Sequence, residues 1–153
     1  MRQGGAASEL SVPQYDTDSQ VEVLYGRSPA YLVQNDMPTF RIYEIAALSN
    51  LLQCESGIVA TGGGIVSTEG GRLALLGSGV NRVWLRAPFD VCEERVKADL
   101  ASDRPLFGNI DAARELFNQR QPWYAETATV VIDASRSAKL VVADLVEIAR
   151  ETA

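Results

Sequence analysis

The sequence contains no histidine, and only two of its 14 basic residues, Lys97 and Lys139, are lysines. The absence of histidine excludes imidazole acid–base catalysis, histidine–metal ligation and Ser-His-Asp triads. The remaining basic residues are arginines, whose planar fork of donors suits carboxylate and phosphate groups, although a GC-rich genome would give the same bias. The chemistry of a site in this chain must therefore come from carboxylates, arginines, hydroxyls and backbone groups.

Cysteine is scarce as well, and long apolar runs are missing. Cys54 and Cys92 form no CxxC motif and cannot make a metal site alone, so we expect buried free thiols in a reducing compartment. No apolar run approaches the length of a membrane span, and the start MRQGGAASEL lacks the apolar segment of a signal peptide. A net charge of −6 argues against nucleic acid or an anionic membrane as a partner. We expect a cytoplasmic protein.

The order of the predicted elements indicates one α/β domain over residues 1–153 with a parallel sheet. Short apolar strands alternate with amphipathic helices. The predicted strands lie in VPQYD, GIVAT, RVWLRA and TVVIDAS. The clearest helix is TFRIYEIAALSNLL, and a later helix, starting at IDAARELF, is expected to run until Pro122. An earlier helix in DSQVEVLYG is expected to end at Gly26, and the next to begin with Ser28 as its cap and Pro29 in its first turn.

Three consecutive glycines, Gly62, Gly63 and Gly64, follow the second of these predicted strands, which ends in IVAT. Open α/β sheets place their ligands at the carboxyl ends of strands, and glycine lets backbone amides approach a bound group. The segment is not a Walker A loop, because that motif is GxxxxGK[ST] and no lysine lies near residue 64. A ligand-binding loop and a tight strand–helix turn are both open at this point.

Two aspartates, Asp16 and Asp18, stand one residue apart at the end of the first strand. Paired carboxylates there could serve Mg²⁺ and a hydroxyl-bearing substrate, or one of them could cap the following helix. Arg41 lies one turn before Glu44, so this pair is either an ordinary surface contact or an arginine turned inward toward an anionic ligand.

Two further arginines occupy later motifs. Arg104 lies in the loop DRPLFG, which is either a plain connection or a mobile lid that brings charge to a phosphoryl group. Arg120 lies in QRQPWY, where the expected helix end makes a favourable dipole interaction the simpler explanation.

The order of these motifs resembles the shikimate kinase family. The matching segments are VPQYDTD, GRSPAYLVQND, FRIYE, IVATGGGIV, DRPL, RQPWY and VVID, and they extend from Val12 nearly to the carboxyl end. The resemblance implies a three-layer α/β/α fold of the P-loop kinase type, with sheet order 2-3-1-4-5. It also implies ATP-dependent phosphorylation of the 3-hydroxyl of shikimate in aromatic amino-acid (chorismate) biosynthesis, with Mg²⁺.

The resemblance also implies roles for individual residues. Asp16 corresponds to the aspartate near Mg²⁺. Asp18 corresponds to the catalytic carboxylate that binds the shikimate hydroxyls. Arg41 and Arg120 correspond to the arginines that hold the shikimate carboxylate, and Gly62, Gly63 and Gly64 to the loop whose amides contact shikimate. Arg104, in the lid at residues 99–109, corresponds to the catalytic arginine that reaches the nucleotide phosphates, and Arg136 to a residue beside adenine.

The chain departs from the family pattern at its start. Aligned on DTD, Met1 falls just after the place where the family's phosphate-binding loop GxxGxGK[ST] ends, so we expect the central first strand and that loop to be missing. Phosphoryl transfer depends on that loop, and we expect impaired activity. The lost strand would expose two sheet edges, which predicts low stability and possible self-association of a chain that is monomeric when complete.

Three functions stay open on the residues alone. The first is a shikimate kinase whose start codon was assigned too late or whose gene is cut. The second is a non-catalytic shikimate-binding or regulatory module. The third is a related small-molecule kinase, for example of gluconate, because paired arginines suit a carboxylate without specifying the ring.

Overall fold

The computed structural model describes residues 4–98 and 109–151, and within these ranges it is an α/β structure with parallel strands. The helices are α1 (Gly4–Leu10), α2 (Thr17–Tyr25), α3 (Pro29–Asn35), α4 (Met37–Leu51), α5 (Glu69–Leu76), α6 (Phe89–Ala98), α7 (Ile110–Thr127) and α8 (Ala138–Glu151). The strands are β1 (Gln14–Asp16), β2 (Ile58–Ala60), β3 (Val83–Arg86) and β4 (Val130–Asp133), and a 3₁₀ turn covers Ile65–Ser67.

The four strands of the described ranges form two separate parallel pairs. β1 pairs with β2, with Asp16 opposite Ala60, and β3 pairs with β4, with Arg86 opposite Asp133. No pairing joins β2 to β3 in the part of the chain that the structure describes. The two pairs correspond to strands 2-3 and 4-5 of the expected order 2-3-1-4-5. The described residues provide no strand for the central position 1, and they form no five-stranded sheet.

The chain divides into two compact units. Unit 1 comprises residues 1–80 and 142–153, and unit 2 comprises residues 81–141. The division falls within α8. The expectation of a single domain over the whole chain stays a prediction, and the two units are described one at a time.

In unit 1 a small apolar core lies between α2, α3 and α4. Its buried side chains are Val21, Leu32, Phe40 and Ala47. The predicted apolar face of α4 supplies the last two, and the Tyr43 ring on the same helix stacks on Tyr25 with ring centroids 3.7 Å apart. This packing fixes α4 against the helix that follows β1, and thereby positions the polar residues of both helices.

The turn signals of unit 1 are mostly confirmed. Gly26 ends α2 in the left-handed conformation (φ 62°), which glycine adopts without steric penalty. Pro29 begins α3, as its fixed φ favours. Ser28 precedes α3 at the cap position, but its side chain makes no capping hydrogen bond, so this part of the prediction was wrong.

Unit 2 is held by aromatic contacts between its strands and helices. Trp84 on β3 stacks on Tyr124 of α7, with centroids 5.6 Å apart, and Phe89 meets the edge of Phe117 at 5.4 Å. Helix α7 continues through Pro122 to Thr127, so the prediction that it ends at the proline was wrong. Packing of residues on both sides of the proline stabilises a helix that local propensity would interrupt.

The cysteine prediction was also wrong in part. Cys54 and Cys92 are free thiols, but Cys54 is exposed and Cys92 is only half-buried. Cys54 follows the end of α4, where the chain leaves the apolar core for a surface turn. None of the helices in the described ranges is both long enough and apolar enough to cross a membrane.

Candidate active site

The carboxyl end of β1 places two aspartates around a buried threonine. Asp16 ends the strand and caps α2, because its Oδ1 accepts a hydrogen bond of 2.9 Å from the Ser19 amide. Thr17 is completely buried, and Asp18 lies in the first turn of α2. The capping explanation for the DTD motif is therefore confirmed for Asp16, and Asp18 is the carboxylate not used as the cap.

The pKa of Asp18 is raised above its ordinary value. Partial burial of its carboxylate is the largest cause, the negative charge of Asp16 adds to it, and the Arg41 guanidinium opposes both. A carboxylate with a raised pKa is a stronger base than an ordinary one. The Asp18 side chain is thus accessible to a ligand, and its raised pKa suits it to accept a proton.

Arg41 and Glu44 form a buried ion pair on α4. The Arg41 Nη1 donates to Glu44 Oε2 at 2.6 Å, with the Glu44 side chain completely buried and the Arg41 side chain 14 % exposed. The alternative of an ordinary surface contact was therefore wrong. Sequence spacing shows that the two residues share a helix face, but only packing of α4 on its neighbours decides that this face points inward.

The glycine loop is shaped by close approach rather than by unusual backbone angles. A Cβ on Gly64 would lie 2.1 Å from Arg41 Nη2, and a Cβ on Gly62 would lie 2.6 Å from Glu44 Oε1 and 3.6 Å from Asp18 Oδ1. Gly64 has an ordinary helical φ of −89°. Glycine is required at these positions because the arginine and the two carboxylates occupy the space that a side chain would need.

The residues after the loop are fixed as well. The Arg72 guanidinium donates to the Val66 carbonyl at 2.8 Å, and Gly71 lies so close to the 3₁₀ turn that a Cβ would stand 1.9 Å from the Ile65 carbonyl oxygen. Neither residue was predicted as part of the site. The pair of glycines at residues 70 and 71, unusual inside a helix, was the sequence signal that could have indicated a close backbone approach.

Together these residues place a proton-accepting carboxylate, a guanidinium and a glycine loop at the carboxyl edge of one strand pair. The guanidinium carries five N–H donors, so its bond to Glu44 leaves further donors for an anionic ligand. The carboxylate of Asp18 suits a hydroxyl group. The arrangement can bind a small molecule that carries both a carboxylate and hydroxyls, and it can accept a proton from one of those hydroxyls.

Unit 2 contains the other predicted site residues that the structure describes. Arg120 is half-buried within α7, seven residues before the helix ends, so the explanation by the helix dipole was wrong. Arg136 follows β4, and its Nε donates to the Asp133 carbonyl at 3.1 Å. Arg95 on α6 also holds this loop through the Ala134 carbonyl, at 2.7 Å, and sequence reasoning missed this residue.

The two remaining predictions concern the lid and the metal site. Arg104 and most of the predicted lid, residues 99–108, lie outside the described residues. Among the described residues, no three histidine, cysteine, aspartate or glutamate side chains come together in a way that could hold a metal ion by themselves. Asp16 and Asp18 still fit Mg²⁺ bound with phosphates, because Mg²⁺ typically takes only one or two carboxylates beside its phosphate and water ligands.

The strand pairs, the glycine loop and the buried arginine define an α/β fold of the P-loop kinase class. The solved structure of a shikimate kinase from Acinetobacter baumannii in complex with shikimate superposes with a TM-score of 0.74, at 23 % identity, over 98 % of this chain and 81 % of that one. The shikimate kinase of Aquifex aeolicus gives a TM-score of 0.77 at 25 % identity, over 97 % and 87 % of the two chains.

Sequence comparison defines the family. The shikimate kinase family model matches residues 5–150. A shikimate kinase from Streptococcus suis is 35 % identical over 133 residues, which are 83 % of this chain and 80 % of that protein. A shikimate kinase from Pseudomonas syringae pv. tomato is 33 % identical over 144 residues, 91 % of this chain and 82 % of that protein. The chain belongs to the shikimate kinase family, whose members are ATP-using phosphotransferases.

Proposed function

We propose that the chain binds shikimate at the carboxyl edge of β1 and β2, and that its reaction is the ATP-dependent phosphorylation of the shikimate 3-hydroxyl. The observation that carries this proposal is the buried Arg41–Glu44 pair packed against Gly64, with Asp18 beside Gly62. This arrangement presents a fixed cation and a basic carboxylate to one small ligand. The family membership supports shikimate as that ligand.

Each residue has a separate task in this proposal. Arg41 binds the shikimate carboxylate, and Glu44 holds the guanidinium in place by its buried hydrogen bond. Asp18 accepts a hydrogen bond from the ring hydroxyls and takes the proton of the 3-hydroxyl, while the 3-hydroxyl oxygen bonds to the γ-phosphorus of ATP and the bond from that phosphorus to ADP breaks. Gly62, Gly63 and Gly64 let the ring approach the backbone, and Arg120 contributes a second guanidinium to the carboxylate.

The nucleotide side of the reaction involves other residues. ATP with Mg²⁺ supplies the phosphoryl group and the charge that stabilises its transfer. We assign Asp16 to the metal, Arg104 of the 99–109 lid to the phosphates and Arg136 to the adenine. Residues 1–153 contain no glycine-rich loop that ends in Lys-Ser or Lys-Thr, so we expect a polypeptide of these residues alone to bind ATP weakly and to transfer phosphate slowly. We further propose a monomer in the cytoplasm.

The first experiment is isothermal titration of the purified chain with shikimate and, separately, with ATP and Mg²⁺. We expect saturable shikimate binding at one site and much weaker binding of the nucleotide. Arg41→Lys keeps the charge but loses the forked geometry, so it should weaken shikimate binding by about 10-fold or more. Arg150→Lys, the same exchange at an exposed position of α8, is the matched control.

The outcomes separate the open functions. Tight binding of gluconate in place of shikimate would show that the proposed substrate is wrong and would leave the proposed kinase reaction in place. Shikimate binding with no phosphorylation, even after addition of a peptide carrying a GxxGxGK[ST] loop, would support the non-catalytic binding module. If wild-type chain that is folded by circular dichroism binds no shikimate, the proposed function is wrong.

A further inference from the structure

Thr17 is the residue between the two aspartates, and the assigned roles leave it without a task. Its side chain is completely buried, which is uncommon for a hydroxyl residue in the first turn of a helix. The hydroxyl Oγ1 accepts a hydrogen bond of 3.2 Å from the backbone amide of Gly62, 45 positions later in the sequence. The contact therefore joins the DTD motif directly to the glycine loop.

This hydrogen bond lies directly beyond the last paired residues of β1 and β2. Asp16 and Ala60 are the last residues in register, and beyond them one chain turns into α2 while the other enters the loop. A partly buried amide at such a position needs a new acceptor, because leaving it unpaired is costly. The Thr17 side chain supplies the acceptor that the backbone of a continuing strand would have supplied.

The geometry around Gly62 makes this contact relevant to the ligand. The space where a Cβ of Gly62 would lie is 3.6 Å from Asp18 Oδ1 and 2.6 Å from Glu44 Oε1. Asp18 follows Thr17 directly, so the same two-residue segment carries the proposed base and the anchor of the loop. A shift of the loop away from Thr17 would also change its separation from Asp18.

We propose that Thr17 is a positioning residue: its hydroxyl holds the glycine loop in register with the Asp18 carboxylate, so that both face the same ligand. The identity of the ligand rests on the proposed function, but the hydrogen bond to Gly62 does not. The proposed role depends on the hydroxyl oxygen as a hydrogen-bond acceptor. A serine at position 17 should therefore retain the role, and an isosteric side chain without an oxygen should lose it.

The test compares Thr17→Val with Thr17→Ser, and uses Thr127→Val as the matched control. Thr127 is also buried, but its hydroxyl donates to the Trp123 carbonyl within α7. We expect Thr17→Val to weaken shikimate binding by about 5- to 10-fold in titration calorimetry, the loss of one net hydrogen bond. Thr17→Ser should stay within about twofold of wild type, and Thr127→Val should leave the binding constant unchanged.

Amide hydrogen exchange of Gly62, followed by NMR, is the second readout and requires no ligand. Thr17→Val should speed the exchange of Gly62 by about 10-fold or more relative to wild type and Thr17→Ser, while amides of α5 keep their protection. If Thr17→Val does not fold, Thr17→Ala carries the same expectation. Unchanged Gly62 exchange in the variant that lacks the hydroxyl would overturn the proposal, whether or not the wild-type chain binds shikimate.

A second result would also overturn the proposal. If Thr17→Val lowers the thermal midpoint but retains wild-type shikimate affinity, Thr17 stabilises the fold without positioning the loop. If the wild-type chain binds no shikimate while Gly62 exchange responds as expected, the proposed function fails and the structural role of Thr17 stands.

Discussion

Strands β1 and β4 both end on an aspartate that accepts a hydrogen bond from a serine amide, yet the electrostatics at the two strand ends differ. After β1, Asp16 accepts from Ser19, and the next aspartate, Asp18, has a raised pKa because of partial burial and the charge of Asp16. After β4, Asp133 accepts from both the amide and the hydroxyl of Ser135, and its pKa is lowered chiefly by the hydroxyl.

The difference shows how aspartates at or just beyond the ends of two strands serve two purposes. Asp133 is exposed, and the hydrogen bonds that it accepts from Ser135 stabilise its charged form, as expected of a turn. Partial burial disfavours the charged form of Asp18 and raises its pKa, and the nearby Asp16 carboxylate adds to this effect. The first is a structural turn, and the second is a group prepared to take a proton.

The largest effect should come from breaking the buried ion pair. Arg41→Met removes the cation that pairs with the completely buried Glu44 carboxylate, and we expect a loss of about 3–5 kcal/mol in the free energy of unfolding. Lys97→Met breaks a pair in unit 2 between an exposed lysine and the half-buried Glu93, and should change the free energy of unfolding by less than about 1 kcal/mol. Urea unfolding measures both, and equal losses would contradict the contrast.

A methyl group on the glycine loop should have the next largest effect. Gly64→Ala places a Cβ where the Arg41 guanidinium lies, so the guanidinium must move, at a cost of about 1–3 kcal/mol. Gly26→Ala meets no atom within 4 Å and strains only the left-handed turn, which costs about 1 kcal/mol. Only Gly64→Ala should also weaken shikimate binding, which titration calorimetry tests.

The difference in pKa between Asp18 and Asp133 can be tested by a substitution near either strand end. Asp16→Asn removes a charge that raises the pKa of Asp18, so that pKa should fall. Ser135→Ala removes the main group that lowers the pKa of Asp133, so that pKa should rise. Carboxyl-carbon NMR titration measures both shifts, and movement of either pKa in the opposite direction would refute the stated cause.

The two shifts also have opposite consequences for stability. Asp18, with a raised folded-state pKa, contributes stability below its unfolded-state pKa, and this contribution is lost as pH rises through the folded-state value. Asp133, with a lowered pKa, contributes stability above its unfolded-state pKa, and loses it as pH falls through the folded-state value. At neutral pH, Asp18→Asn should therefore raise the free energy of unfolding relative to wild type, and Asp133→Asn should lower it.

The smallest effect is expected at the cysteines. Cys54 is exposed in unit 1, so Cys54→Ser should change the free energy of unfolding by less than about 0.5 kcal/mol. Cys54 should also react with a thiol reagent faster than the half-buried Cys92. Equal reaction rates in the native chain would contradict the difference in exposure.

Local sequence rules predicted most of the elements, because each rule depends on a few neighbouring residues. Gly26 ends α2 through its own backbone freedom, and Asp16 caps the same helix through an amide three residues away. The rules failed where distant packing outweighs a local preference. Helix α7 passes through Pro122, and Cys54 lies exposed beyond the end of an apolar helix.

The candidate site was predictable as a set of motifs but not as a geometry. The resemblance to shikimate kinases named Asp18, Arg41 and the three glycines, since these motifs keep their order along the chain. It did not show that Glu44 is buried or that Thr17 bonds to Gly62, because each depends on contact between segments brought together only by folding.

The sequence by itself determined the α/β class, the strand ends that carry polar residues, and the family, because periodicity, turn chemistry and motif order are properties of the chain. The tertiary structure alone decided which carboxylate caps a helix, which has a raised pKa, and why the loop after β2 must be glycine. Those answers depend on burial and on distances of a few ångströms between residues far apart in sequence, which no local pattern contains.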